Sequence, residues 1–308
     1  MAALAIVGAR GVLGTKLLEQ ALAATDAPIF AFTHGAPPHP PAAASQRVVW
    51  LQLDIGDSAA VASAFERARP DVVINAAAMT NVDACELDRD AAWAANALGP
   101  RSLAEACVRH GTELLHVSTD YVFPGDDRQP GPYTEEAPVR TVNHYGWTKL
   151  MGERAVEEIC AGRVRWLCAR TALVYGYVPG GRTNFVRWLA GELRAGRRVR
   201  IADDQYNTPT LADDLAAALL HLMRRPTQGI LHVAGPDLVS RLEWARTIVA
   251  AAGLDASLID VVSTAELRQV AQRPLRSGLS TGRAGELAGV EPRGIVPGLA
   301  LAGLDAAR

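Results

Sequence analysis

Leu4 to Val7 is an unbroken apolar run, followed at once by Gly8-Ala9-Arg10-Gly11-Val12-Leu13-Gly14 and then by leucines at 13, 17, 18 and 22. The apolar run reads as a buried strand, and the leucine spacing as one face of a helix. A glycine pattern alone is a weak signal. Between a strand and a helix it points to dinucleotide binding rather than to a purely structural turn. Glycines let the backbone approach a pyrophosphate, and the helix start offers free N–H groups and the positive end of a dipole. Gly8, Arg10, Gly11, Val12, Leu13 and Gly14 are therefore candidate cofactor-binding residues.

The rest of the first half repeats the strand-helix alternation. Strands are expected over 29–32, 48–53, 71–75, 114–117 and 164–170, and helices over 58–68, 91–98, 100–110 and from Tyr145 to about Ile159. His34 to Gln46 is a Pro/Ala surface loop. Alternation of this kind gives an α/β fold, a doubly wound parallel sheet covered by helices on both faces. After Gly176 the regularity loosens. Helices are expected over 184–195, 210–223 and 240–252, with short strands at 199–201 and 229–234. The chain divides into a Rossmann domain, 1–175, and a smaller substrate-binding lobe, 176–308, with 210–234 packing back on the main sheet.

About 20 residues beyond the glycines an NAD site carries an acidic residue for the ribose 2'-hydroxyl; here stand Thr33, His34 and Gly35. Arg10 is instead the candidate to face a 2'-phosphate, whose geometry suits guanidinium, the alternative being that it points to solvent. The expected cofactor is NADPH, with NADH as the alternative. Asp54 and Ile55 end strand three with a carboxylate and an apolar group, suited to bonding and covering an adenine. Strand four ends in Asn75-Ala76-Ala77-Ala78, whose small residues leave room for a flat ligand outside the sheet.

Strand five ends in Ser118-Thr119-Asp120-Tyr121-Val122-Phe123, a polar cluster where chemistry sits in open α/β sheets. Downstream, Tyr145 and Lys149 stand four residues apart, one helical turn apart on one face. A cation near a phenol draws its pKa toward working pH. Alone, Tyr-x-x-x-Lys is as well explained by ordinary helix composition.

Of 308 residues, 49% are hydrophobic and 21% charged, and the net charge is −2. A balanced soluble chain of this kind gives no footprint for nucleic acid. No apolar run is long enough to span a bilayer, and the N-terminus lacks the basic start of a signal peptide. A cytoplasmic protein is expected. Cys85, Cys107, Cys160 and Cys168 are scattered, so reduced buried thiols are expected and no metal set is visible.

Gly-x-x-Gly-x-x-Gly after strand one, Asn75-Ala76-Ala77-Ala78, Ser118 to Phe123, and Tyr145-Gly-x-x-Lys149 occur in an order and spacing that together resemble the extended short-chain dehydrogenase/reductases. The form of these motifs is most similar to the dTDP-4-dehydrorhamnose reductase group. Asp204 to Thr210 and Arg273 to Ser277 also resemble that group. The resemblance implies that Tyr145 protonates a sugar ketone, that Lys149 lowers its pKa and binds the nicotinamide ribose, and that Thr119 hydrogen-bonds the substrate oxygen. Asn96 would hold a lysine-linked water, and Thr80, Val82, Asp120 and Tyr121 would lie near the sugar. A homodimer is expected by analogy.

The chain departs from the group where Leu173 stands in place of a tryptophan and where Gly294 to Gly298 replaces a tryptophan-containing end. The leading expectation is an NADPH-dependent reductase of a nucleotide-linked 4-keto-6-deoxyhexose. The alternatives are an epimerase of the same superfamily and a non-catalytic NADP-binding subunit similar to the methionine adenosyltransferase β-subunit.

Overall fold

The computed structural model describes residues 3–36, 47–181 and 183–304. Most of the expected Pro/Ala loop, residues 37–46, lies outside the described residues. The first half alternates as expected: β1 (Leu4–Val7), α1 (Val12–Ala24), β2 (Ile29–Thr33), β3 (Val48–Gln52), α2 (Ser58–Ala68) and β4 (Val72–Asn75). Asp57 starts α2 by accepting from the Ala59 and Ala60 N–H groups, satisfying donors that the first turn leaves free.

Next come α3 (Val82–Leu87), α4 (Arg89–Trp93), α5 (Gly99–His110) and β5 (Glu113–Thr119). The separate helices expected over 91–98 and 100–110 are a continuous rod, in which a π-helical turn at Ala94–Leu98 joins α4 to α5. Pro100 has no N–H to give the Asn96 carbonyl four residues back, so ordinary α-helical register cannot pass through it. The wider turn takes up the mismatch.

After β5, α6 (His144–Cys160) opens on Asn143, whose Oδ1 accepts from Gly146 N at 2.8 Å. β6 (Trp166–Thr171), β7 (Val174–Tyr175), α7 (Phe185–Arg194), β8 (Val199–Ala202), β9 (Tyr206–Asn207), β10 (Thr210–Leu211), α8 (Ala212–Leu222) and β11 (Gly229–His232) follow. The chain continues through β12 (Val239–Ser240), α9 (Arg241–Ala252), β13 (Ile259–Val262), α10 (Thr264–Leu267), α11 (Gly282–Ala288) and α12 (Ile295–Leu299). The helix expected from Thr210 starts two residues later, because Thr210 and Leu211 pair with β7.

Seven parallel strands form the main sheet in the order β11-β6-β5-β4-β1-β2-β3. The order reverses between β1 and β4, so a crevice opens at their carboxyl ends. Leu17, Leu215, Leu219 and Ala284 line the core on one face, under α1, α8 and α11. Phe65, Leu103, Val156 and Cys168 line it on the other, under α2, α5 and α6. Both faces are covered, which is why the central strands β1 and β4 are buried at every position.

Residues 210–234 return to this sheet. β11 extends its edge beside β6, with Ile230 level with Cys168, and α8 meets α1 through Lys16 and Asp213, 3.3 Å apart. A separate core of Val186, Leu189, Trp244, Ile248 and Leu299 holds α7, α9 and α12 together, with β8 and β13 paired alongside. The four cysteines are free and buried.

Candidate active site

The glycine turn is shaped by close backbone contacts. Gly8 takes φ +82°, and a Cβ there would stand 2.8 Å from the Ala77 nitrogen. One at Gly14 would stand 2.2 Å from the Gly8 carbonyl oxygen. Only glycine lets β1, α1 and the end of β4 meet here, which leaves backbone rather than side chains at the crevice. Gly11 N donates to Gly8 O at 2.9 Å. Val12 is half-buried, while the Leu13 side chain lies in the core beneath and can offer the crevice only its backbone.

Arg10 is exposed, and its Nη1 donates to Ala36 O at 3.0 Å, tethering the guanidinium at the end of β2. Thr33 is buried there, and His34 Nε2 stands 3.5 Å from Asp54 Oδ2. Asp54 also closes its own turn by accepting from Gly56 N at 2.9 Å. Ile55 is buried against Gly99.

Asn75 is buried and engaged inward. Its Oδ1 accepts from Ala77 N at 3.1 Å and its Nδ2 lies 3.0 Å from His116 Nδ1. Ala76, Ala77 and Ala78 are half-buried at the crevice floor.

At the end of β5, Thr119 is buried, its hydroxyl donating to Asp120 Oδ1 at 3.2 Å and accepting from Tyr121 N at 3.2 Å. The phenol of Tyr145 is also buried, beside Thr119 and packed edge-on against Tyr121 with ring centres 5.5 Å apart. Burial pushes the Tyr145 phenol well above its ordinary value, the Thr119 contact opposes it, and the Asp120 charge adds to the rise. The expectation that Lys149 lowers this pKa is not met in the structure. Lys149 Nζ points elsewhere, donating to Val117 O at 2.7 Å beside His116 Nε2 at 3.3 Å. Burial pulls the Lys149 ammonium down to about 8, partly opposed by Glu153.

Asn96 is fully buried in the π-helical turn, where Oδ1 accepts from Met79 N at 2.9 Å and Nδ2 donates to Met79 O and to Thr148 Oγ1, at 3.0 and 3.2 Å. Its side chain is thus fully committed to the chain itself. Val82 packs in one cluster with Tyr145 and Tyr121, whereas Thr80 is exposed on the loop before α3.

Asp120 is a buried strut rather than an open carboxylate. Its Oδ2 accepts from Ser277 Oγ at 2.6 Å, and Ser277 Oγ accepts from Asn207 Nδ2 at 2.8 Å. Burial raises Asp120 to about 6, against the hydrogen bonds from Ser277 and Thr119. The strut ties β5 to the segments after Gly176, which sequence reading left apart.

Sequence reading also missed Arg241 and His116. Arg241, the first residue of α9, stacks on Phe185 and Trp244, 4.6 and 5.8 Å from the ring centres, and no acceptor for its guanidinium is found among the described residues. His116 is a fully buried imidazole in an apolar strand. A polar side chain in the middle of such a strand is the signal that would have found it. Among the described residues no cluster of His, Cys, Asp and Glu is arranged to hold a metal, and no helix is long and apolar enough to cross a membrane.

A family model described as the RmlD substrate binding domain matches residues 1–302. The dTDP-4-dehydrorhamnose reductase of Mycobacterium tuberculosis is 39% identical over 293 residues, 94% of this chain and 88% of that protein. The crystal structure of a dTDP-4-dehydrorhamnose reductase from Clostridium acetobutylicum superimposes with a TM-score of 0.82 at 30% identity, covering 96% of each chain. The enzyme of the same name from Bacillus anthracis, solved in complex with NADP, gives 0.82 at 28% identity over 99% of each. Glycine turn, Ser-Thr-Asp-Tyr end of β5, Tyr145-Lys149 pair and near full-length similarity agree, and the chain belongs to the RmlD substrate binding domain family, within the dTDP-4-dehydrorhamnose reductase group of extended short-chain dehydrogenase/reductases.

Proposed function

We propose that this chain is an NADPH-dependent reductase of a nucleotide-linked 4-keto-6-deoxyhexose, with Tyr145 as the proton donor. Two hydroxyls carry the reading. Tyr145 and Thr119 meet at the carboxyl end of β5, and burial keeps the phenol in the protonated form that a reduction needs. The glycine turn, where a Cβ at Gly8 or Gly14 would collide with backbone, fits a pyrophosphate, and Arg10 fits the 2'-phosphate. NADPH, when bound, supplies the hydride.

Tyr145 yields its proton to the ketone oxygen as negative charge gathers there, and Thr119 turns its O–H from Asp120 to the same oxygen. Val82 and Tyr121 wall the sugar beside the phenol. Arg241, fixed over Phe185 and Trp244 with no acceptor for its guanidinium among the described residues, suits the diphosphate of a nucleotide sugar. The segments after Gly176 then act as the substrate-binding lobe.

The test is loss of reduced-nicotinamide absorbance with NADPH and dTDP-4-keto-6-deoxyhexose. Oxidation with this sugar and not without it is expected. Tight NADPH binding without oxidation by any nucleotide ketosugar would favour a non-catalytic binding subunit.

A further inference from the structure

Among the buried polar groups, one chain has a proton arrangement that can be worked out atom by atom. The Ala77 N–H donates to Asn75 Oδ1 at 3.1 Å, which fixes the orientation of the amide. Asn75 Nδ2 must then donate to His116 Nδ1 at 3.0 Å. A neutral imidazole that accepts at Nδ1 carries its hydrogen on Nε2. That N–H faces Lys149 Nζ at 3.3 Å.

An ammonium has only hydrogens to offer, so two donors confront each other. An amine has a lone pair: it accepts from His116 Nε2–H while donating to the Val117 carbonyl at 2.7 Å. The inward position of Lys149 therefore suits the uncharged side chain. The charged side chain is better placed outward, one turn back along α6 toward Tyr145, the direction in which helical side chains lean.

We propose that His116 is a positioning residue: fixed by Asn75 as the Nε2–H form, it makes the inward place of Lys149 an amine site and directs the ammonium toward Tyr145. This rests on the assignment of Tyr145 and Lys149 to the reaction. The other groups around the pair are compatible with it. Glu153 faces Lys149 from the same helix but is held by Arg170 through two hydrogen bonds of 2.9 and 2.7 Å. Cys168 faces it from β6, and Asn75 faces His116 from β4. Burial lowers His116 well below its ordinary range and Lys149 to about 8, the direction that paired donors require.

Two measurements test the proposal. In the wild-type protein, nitrogen NMR of labelled histidine should give His116 as the Nε2–H tautomer; the Nδ1–H tautomer overturns it. The second is a carbon NMR titration of the Lys149 side chain in wild type and His116→Gln. Glutamine can turn an oxygen toward Lys149, so the ammonium is accepted inward and its pKa should rise by about one unit or more, a tenfold change in the protonation equilibrium. The basic limb of kcat/KM should move up with it. An unchanged Lys149 titration in a folded His116→Gln overturns the proposal. Neither NMR measurement needs turnover, so an inactive wild type would refute the reductase reading alone.

Discussion

Gly152 on α6 lies directly against the carbonyl oxygen of Asn96: a Cβ at position 152 would stand 2.3 Å from it. That carbonyl is the one Pro100 leaves without an N–H four residues on, and α6 is the helix that carries Tyr145 and Lys149. A proline in one helix and a glycine in another thus set how closely α6, with the catalytic candidates, approaches the α4–α5 rod.

Gly152→Ala should therefore push α6 outward. Overpacking of this kind costs about 1–3 kcal/mol, read as a lower denaturation midpoint. Displacement of Tyr145 should lower kcat as well. Wild-type stability in the variant would mean that the two helices separate freely.

Tyr145→Phe removes one hydroxyl and leaves the ring against Tyr121. The expected result is a fall in kcat of about 100-fold or more, with NADPH affinity nearly unchanged in a fluorescence titration. A loss below about tenfold, under roughly 1.4 kcal/mol, would assign the proton to another group.

Arg10→Ala should weaken NADPH much more than NADH, because only NADPH has the 2'-phosphate. Equal weakening of both in parallel titrations would show that Arg10 does not meet that phosphate.

Arg241→Gln keeps a polar side chain but loses the charge. KM for the nucleotide sugar should rise about tenfold or more, in line with loss of a charge-assisted hydrogen bond, while NADPH affinity stays level. An unchanged KM would remove Arg241 from the diphosphate.

Asp120 gives a pH signature. Its folded pKa is raised from 3.8 to about 6 by burial, so the folded chain favours the protonated acid. The stabilisation is fully present below the unfolded value and is lost as pH rises through about 6, an effect on the order of 3 kcal/mol. Asp120→Asn does not titrate, so wild-type stability relative to this variant should fall across that window in denaturant titrations. A constant difference from pH 4 to 7 would mean that Asp120 is not protonated on burial.

The sequence by itself determined the strand-helix alternation as far as β6, the parallel sheet and the glycine turn between β1 and α1. These follow from local signals: apolar runs, a 3.6-residue period, and glycines 8, 11 and 14, where side chains would collide with backbone. Tyr145, Lys149 and Thr119 could be singled out as candidates for the same reason, since each sits in a short motif. The tertiary structure alone decided what those side chains touch. Asp120, read as facing a sugar, is tied to Ser277, 157 positions away. Asn75 and Lys149 meet through His116, and Arg241 at the start of α9 lies over the rings of Phe185 and Trp244. Such contacts depend on the three-dimensional path of the chain, and pKa shifts depend on burial and the charges gathered by that path, so neither is written in the spacing of residues along it.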